Sequence, residues 1–254
     1  MVYHVLNGDA LVPGFTATGL PGEIIVAREC LIEGSLKGET LPEFLETRAR
    51  FVEDEFNEER VRYYDDVVHE FEKLLNAEPG SEFNLWFGYD LFCRANMWFV
   101  LSLISHLEGD KEVNVVYPSF RDKHDIWLEF GRASTEQLQE AFDNRVNFAE
   151  RDFRLADDLW MAYKQTDLGR LHDLSIFHSP CFPYLPEVCQ AHIDRFPYKG
   201  KKGRPERVMV EILKGNARDF KTVFREFTAR EGIYGFGDTQ VRKIYDKVMK
   251  ERNP

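Results

Sequence analysis

His4-Val5-Leu6-Asn7-Gly8-Asp9-Ala10, HVLNGDA, is an apolar run that stops on an amide, a glycine and a carboxylate. Val2 to Leu6 is short, rich in branched residues and closed by turn formers, the pattern of a buried strand. Glu23 to Ala27, Phe83 to Phe87 and Val113 to Tyr117 repeat it, with helical patterns between them. Alternation of this kind favours a parallel sheet with helices packed on both faces. The expected fold is therefore α/β. A small, mostly parallel Rossmann-like sheet flanked by helices occupies residues 1–120 and is followed by an all-helical C-terminal part.

Between the second and third strands lie two apolar stripes at helical spacing. Leu41, Phe44, Leu45, Ala49, Val52 and Phe56 form the first, and Val61, Tyr64, Val67, Val68, Phe71, Leu74 and Leu75 the second. Pro79-Gly80 ends that run. Further on, Ser134 with Gln137 and Asn147 with Glu150 have capping-box spacing and predict two helix starts. Phe177 to Pro186, with three prolines, predicts a loop leading into a helix that ends near Phe196-Pro197. YKGKKGRPER, from Tyr198 to Arg207, reads as a basic flexible linker. Three amphipathic patterns follow, near Pro205–Lys214, Asp219–Arg230 and Asp238–Lys250. The expected division is an α/β ligand-binding domain over 1–120, a helical region over 121–197 and a basic three-helix module over 198–254.

The chain has 254 residues, 43% of them hydrophobic, and a formal net charge of -11. The charge is uneven. Residues 198–254 hold 15 Lys and Arg against 8 Asp and Glu, while the preceding part is strongly acidic. An acidic surface repels phosphate backbones, whereas the basic tail could attract nucleic acid or dock on the acidic part. No stretch is long and apolar enough to span a bilayer, and no N-terminal pattern predicts a signal peptide. Four cysteines without CxxC pairing argue against a disulfide framework, so a cytoplasmic protein with no membrane partner is expected.

In open parallel sheets, ligands bind outside the carboxyl ends of the strands, where helix N-termini also point. Asn7-Gly8-Asp9, Arg28-Glu29 and Gly88-Tyr89-Asp90 fall there. If the strands are neighbours, Asp9, Arg28, Glu29 and Asp90 line one crevice. Asp90 would also cap the helix starting at Leu91. Arg48 falls in the middle of the first apolar stripe, where a guanidinium must find an anion, such as Asp9, Glu29, Asp90 or a ligand group. Gly8 would let a ligand approach the backbone. The candidate ligand-binding set is Gly8, Asp9, Arg28, Glu29, Arg48, Trp86, Tyr89 and Asp90. Its arginines suit an anionic, phosphate-bearing small molecule, and its carboxylates suit a divalent cation such as magnesium. No GxGxxG or GxxxxGK[ST] pattern supports a nucleotide assignment.

HVLNGDA, EIIVARECLIEGSL (Glu23–Leu36), the ARF after Arg48 and LWFGYDLFCRANMWFVLSLI (Leu85–Ile104) resemble the bacterial family known as domain of unknown function 1835. The resemblance is to its longer form, whose helical extension is matched by LWMAY, AHIDRFP and YGFGDTQV. It covers most of the chain and implies an α/β fold, with no established activity to transfer. The family's recurrent polar positions correspond to Gly8, Asp9, Arg28, Glu29, Gly34, Arg48, Trp86 and Asp90. Ser35 stands where the family often has proline, and Gly88 where it often has an acid.

Three other constellations carry chemistry. A thiol beside Arg28, at Cys30, or one at Cys93 would have a lowered pKa if it served as a nucleophile, though buried filling is the ordinary role of such cysteines. His178, Cys181, Cys189 and His192 form HxxC and CxxH pairs able to present ligands to zinc, though not at finger spacing, and His192 also lies on an apolar helical stripe. The C-terminal module has a helix-turn-helix-like pattern that would offer Thr239, Gln240, Arg242, Lys243 and Lys247 to nucleic acid. The expected function is binding of a small anionic ligand at the strand ends, with or without hydrolase or transferase chemistry. The alternative is a ligand-responsive nucleic-acid-binding regulator.

Overall fold

The computed structural model describes residues 1–119, 126–128, 130–215 and 219–252. One sheet runs in the order β2-β1-β3-β4-β5, from β1 (Val2–Asn7), β2 (Glu23–Ala27), β3 (Ser81–Trp86), β4 (Lys111–Val116) and β5 (Val146–Asn147). The first four are parallel, and β5 is antiparallel to β4. The four expected strands are all present, and the architecture is α/β followed by helices. Because β1 sits between β2 and β3, the sheet has its topological switch point at the carboxyl ends of β1 and β3.

Helix α1 (Val12–Thr18) links β1 to β2. Helices α2 (Leu41–Phe56), α3 (Arg60–Tyr63) and α4 (His69–Leu75) link β2 to β3, α5 (Leu91–Ser105) links β3 to β4, and α6 (Thr135–Asp143) precedes β5. Alternation along the strands sorts the faces. Leu6, Trp86 and Val116 pack with Phe15 and Leu138 of α1 and α6. Val5, Phe83, Leu85 and Val113 face the larger core, which takes in α2, α4 and α5. Helices α7 (Glu150–Lys164), α8 (Leu168–Ser175) and α9 (Leu185–Asp194) add Leu159, Leu171 and Val188 to that same core. The expected division at 120/121 lies outside the described residues, and the helices after it share the core of the sheet.

Three local expectations change. The second stripe breaks phase because Tyr64–Val68 forms a π turn between α3 and α4. The wider turn rotates what precedes it, so Tyr63 is buried while Val61 and Tyr64 face solvent. Asn147 is a strand residue, not a cap: its amide donates to the Val113 carbonyl and to Asn114 Oδ1. Helix α7 starts two residues later than that cap implied, after Ala149, whose N–H donates to the Asp152 carboxylate at 2.9 Å. Finally, the expected linker is folded. Tyr198 and Lys201 exchange both backbone hydrogen bonds around Lys199 and Gly200, which have φ of 48° and 75°.

Both edges of the sheet are engaged. On β2 the Val26 N–H donates to the Glu70 carboxylate of α4 at 2.8 Å. On β4 the two residues of β5 are extended by the Phe148 N–H, which donates to the Val113 carbonyl.

The last three helices, α10 (Arg204–Lys214), α11 (Phe220–Glu231) and α12 (Asp238–Arg252), have a core of their own built on Met209, Ile212, Val223, Phe227, Val241 and Val248. The turn between α11 and α12 seats this module on the α/β unit. Gly235, at φ +63°, lies so close to Asp90 that a Cβ would overlap its carboxylate and come within 2.7 Å of its Cγ. The Gln240 amide donates to Glu33 at 2.9 Å, and Lys243 bridges Glu33 and Glu55 at 3.2 and 2.7 Å. Gly235→Ala is expected to combine left-handed strain with this collision and to lower stability by roughly 1–3 kcal/mol. Denaturant unfolding with limited proteolysis checks this, and a variant as stable and as protease-resistant as the parent would show that the turn is not seated on Asp90.

Candidate functional site

The strand-end residues separate into three groups. At the exposed rim, Arg28 donates from Nε and Nη2 to both oxygens of Asp9, at 2.8–3.0 Å, and from Nη1 to the Asp66 carbonyl at 2.6 Å. This pair ties the turn after β1 to the end of β2 and to the π turn. Gly8 holds φ +86°, a conformation that favours glycine, with open space where a Cβ would be.

The second group is buried. Arg48 donates from Nε and Nη2 to Glu29 at 3.1 and 3.0 Å, and Tyr63 donates its hydroxyl to the same carboxylate. The remaining Arg48 N–H groups reach the carbonyls of Cys30, Glu33 and Ser35. Arg48 is wholly buried and Glu29 nearly so. The guanidinium therefore finds its anion in Glu29, and the ligand contact expected of it is replaced by a brace on the loop after β2. Burial, then the adjacent Glu29, pushes the Tyr63 hydroxyl pKa far up. Gly34 completes the brace, because at φ +79° a Cβ would meet the Phe51 ring and Arg48 Nη1.

Asp90 forms the third group. It caps α5 as expected, accepting the Cys93 N–H at 3.0 Å. Burial raises its pKa. Asn7 links the neighbourhood, donating to Cys93 Sγ and accepting from Asn96, which also donates to the Glu29 carbonyl. Trp86 lies on the opposite face of the sheet, where its indole N–H donates to His4 Nδ1 at 3.1 Å. Tyr89 stacks on Tyr117 and meets Tyr184 edge-on. Beside them, wholly buried Arg94 donates to the Tyr117 hydroxyl and the Pro183 carbonyl. Helix α5 is apolar all round, and that was the available signal that Arg94 and Asn96 must be internal.

Asp9, Glu29 and Asp90 thus face different partners rather than one hollow. Among the described residues no three His, Cys, Asp or Glu side chains are grouped to hold a metal, so the carboxylate geometry for magnesium and the His178–His192 geometry for zinc do not form. His178 is exposed, the Cys181 thiol donates to the Asn147 carbonyl, and His192 sits between Tyr163 and Phe196. At Cys30 the environment opposes the nucleophile alternative. Burial, then Glu33, pushes its thiol up to about 12.

A cavity of about 1360 Å³ lies beyond β2. One wall is the loop braced by Arg48, Leu31 to Glu39; the others come from α2, the end of α7, α9 and α12. Lys37, Lys164, Arg195 and Lys243 line it, with Glu33, Glu39 and Glu55. Lys243 is held by the two glutamates nearest it. Among the described residues, Lys37, Lys164 and Arg195 stand in no ion pair, though Lys164 donates to the Gly38 carbonyl and Arg195 to that of Ile32. Sequence reasoning missed these cations, which come from separate segments.

The residues nominated for nucleic acid are largely engaged within the chain. Gln240 and Lys243 face Glu33, Lys247 pairs with Glu206, and the Arg242 guanidinium lies 3.3 Å from the centre of the Phe220 ring, while Thr239 is exposed. Compared with protein-family models, curated proteins and solved structures, the chain matches none.

Arg48→Met should lower unfolding free energy by about 3–5 kcal/mol, since it leaves Glu29 charged and buried. Adding Glu29→Leu is expected to recover only part of that loss, because three carbonyls stay unpaired. Urea denaturation distinguishes the cases, and full recovery would reduce the brace to a simple ion pair. His192 gives a pH test. Burial, then Arg195, pushes it down to about 3, and neither ring nitrogen has a hydrogen-bond partner among the described residues. The unfolded chain takes up a proton near pH 6.5, so stability is lost as pH falls from there toward about 3. His192→Phe should flatten that slope in equilibrium unfolding across the window, and an unchanged slope would assign it to other groups.

Proposed function

We propose that this chain binds a small anionic molecule in the cleft beyond the carboxyl end of β2, with the family its motifs resemble as the setting. The observation that carries the reading is the gathering of Lys37, Lys164 and Arg195, outside any ion pair among the described residues, around one cavity of a chain with net charge -11. A concave wall focuses the field of its cations and raises the local concentration of anions. The Arg48 brace supports this arrangement, because it fixes the carbonyls of the loop from which Lys37 projects and to which Arg195 and Lys164 bond.

Binding, rather than hydrolysis or group transfer, is the function proposed. The lining offers cations, aromatic rings and three glutamates, two of which are held by Lys243, and burial has disarmed the adjacent thiol of Cys30. The basic C-terminal module enters as a wall of the cleft through Lys243. Its contacts with Glu33 and Glu55 favour docking over the nucleic-acid alternative, because those bases already face acids.

Inorganic pyrophosphate is the probe for isothermal titration and thermal shift. The expected result is a rise in Tm at low salt that shrinks at high salt, and affinity at least tenfold weaker in Lys37→Ala/Lys164→Ala. No binding, or binding indifferent to the two lysines, would overturn the proposal.

A further inference from the structure

The cation-lined cleft shares Glu39, Met161 and Lys164 with a second cavity of about 540 Å³. The chemistry of this neighbour is different. Its inner lining is Phe44, Phe99 and Trp160, with Leu41 and Leu103 beside them. The three rings pack on one another, Phe99 lying 5.0 Å from Phe44 and 5.1 Å from Trp160. Leu75 and Met161 form a mouth and are 36% and 45% exposed, unusual for large apolar side chains in a chain that buries most of its own.

Lys164 stands where the two cavities meet. Its Nζ lies 2.6 Å from the Gly38 carbonyl and 5.4 Å from the centre of the Phe44 ring, so one ammonium borders both the cation-lined cleft and the aromatic chamber. Burial lowers its pKa. Asp157, which also lines the chamber, lies two turns earlier on α7, roughly 10 Å away by helical rise. It accepts from Ser105, and His106 is hydrogen-bonded to the Ser102 carbonyl. The chamber therefore has an acidic end with its groups already partnered and a second end, opening into the larger cleft, where Lys164 stands with Glu39. An anionic head is repelled from the first and drawn to the second.

We infer that the two cavities form one site for an anionic amphiphile, its head in the cleft beside Lys164 and Lys37 and its apolar tail on Phe44, Phe99 and Trp160. The inference rests on the anion-binding reading of the cleft and names the class of ligand it takes. The tail supplies the affinity that a small anion lacks. Apolar burial is worth roughly a fourfold gain for each methylene fully removed from water.

The test is isothermal titration of the full chain with methyl phosphate, octyl phosphate below its micelle concentration, and octan-1-ol. Octyl phosphate should bind at least tenfold more tightly than methyl phosphate and than the alcohol, and should perturb Trp160 fluorescence. Leu75→Glu changes an exposed residue at the mouth of the chamber. It should remove the octyl advantage while leaving methyl phosphate binding unchanged. Equal affinity for the two phosphates, with both binding, would overturn the inference and leave the anion cleft standing. Octan-1-ol binding as tightly as octyl phosphate would also overturn it, because the head would then contribute nothing. Failure of both phosphates would bring down the anion-binding reading itself.

Discussion

The buried contact between Arg48 and Glu29 is the constraint on which the functional half of the molecule turns. Two charges removed from water are costly, and their attraction alone does not guarantee net stability. Here the surroundings complete the account. Tyr63 adds a donor to the carboxylate, and the guanidinium distributes its remaining N–H groups over three carbonyls of the loop that follows β2. A loop rich in glycine and charge would otherwise sample many shapes. Held this way it becomes a wall. Arg48 thus shapes the cleft from behind while lying wholly out of contact with solvent.

The charge asymmetry of the chain follows from the same assembly. Four of the basic residues in the last helix each have a partner within the chain: Lys243 takes Glu33 and Glu55, Lys247 takes Glu206, Arg242 takes the face of Phe220, and Arg252 takes the Leu213 carbonyl. Most of these partners are partly exposed, so each pair contributes modestly to stability. Together they orient the module more than they hold it. The close seating of Gly235 on Asp90 supplies shape, and the charges supply registration.

Much of the sheet could be read from the sequence because its four parallel strands are continuous apolar runs closed by turn residues. The internal anion partner of Arg48 was legible too, since a guanidinium on an apolar stripe has few alternatives. What stayed hidden shares a physical character. The π turn at Tyr64–Val68 inserts a residue without any distinguishing composition, so a regular period placed Val61 and Tyr64 inside. Strand β5 is too short for alternation to show. The convergence of Asp9, Glu29 and Asp90 failed because strand-end position says which rim a residue occupies and not which way its side chain turns. Lys37, Lys164 and Arg195 looked like ordinary solvated charges, and only the docking of remote helices gathers them. The seating of Gly235 on Asp90, 145 positions earlier, was hidden for the same reason.

The sealing of the sheet at both margins bears on how copies of this protein meet. An uncovered outer strand is a template on which another chain can lay its backbone. Here the Glu70 carboxylate occupies a donor on the β2 side, and the β5 stub closes part of the β4 side. Each cover shortens the run of backbone that its margin offers to a neighbouring chain. Were helix α4 to leave β2, the Val26 N–H would lose its acceptor and that margin would lie open to strand addition.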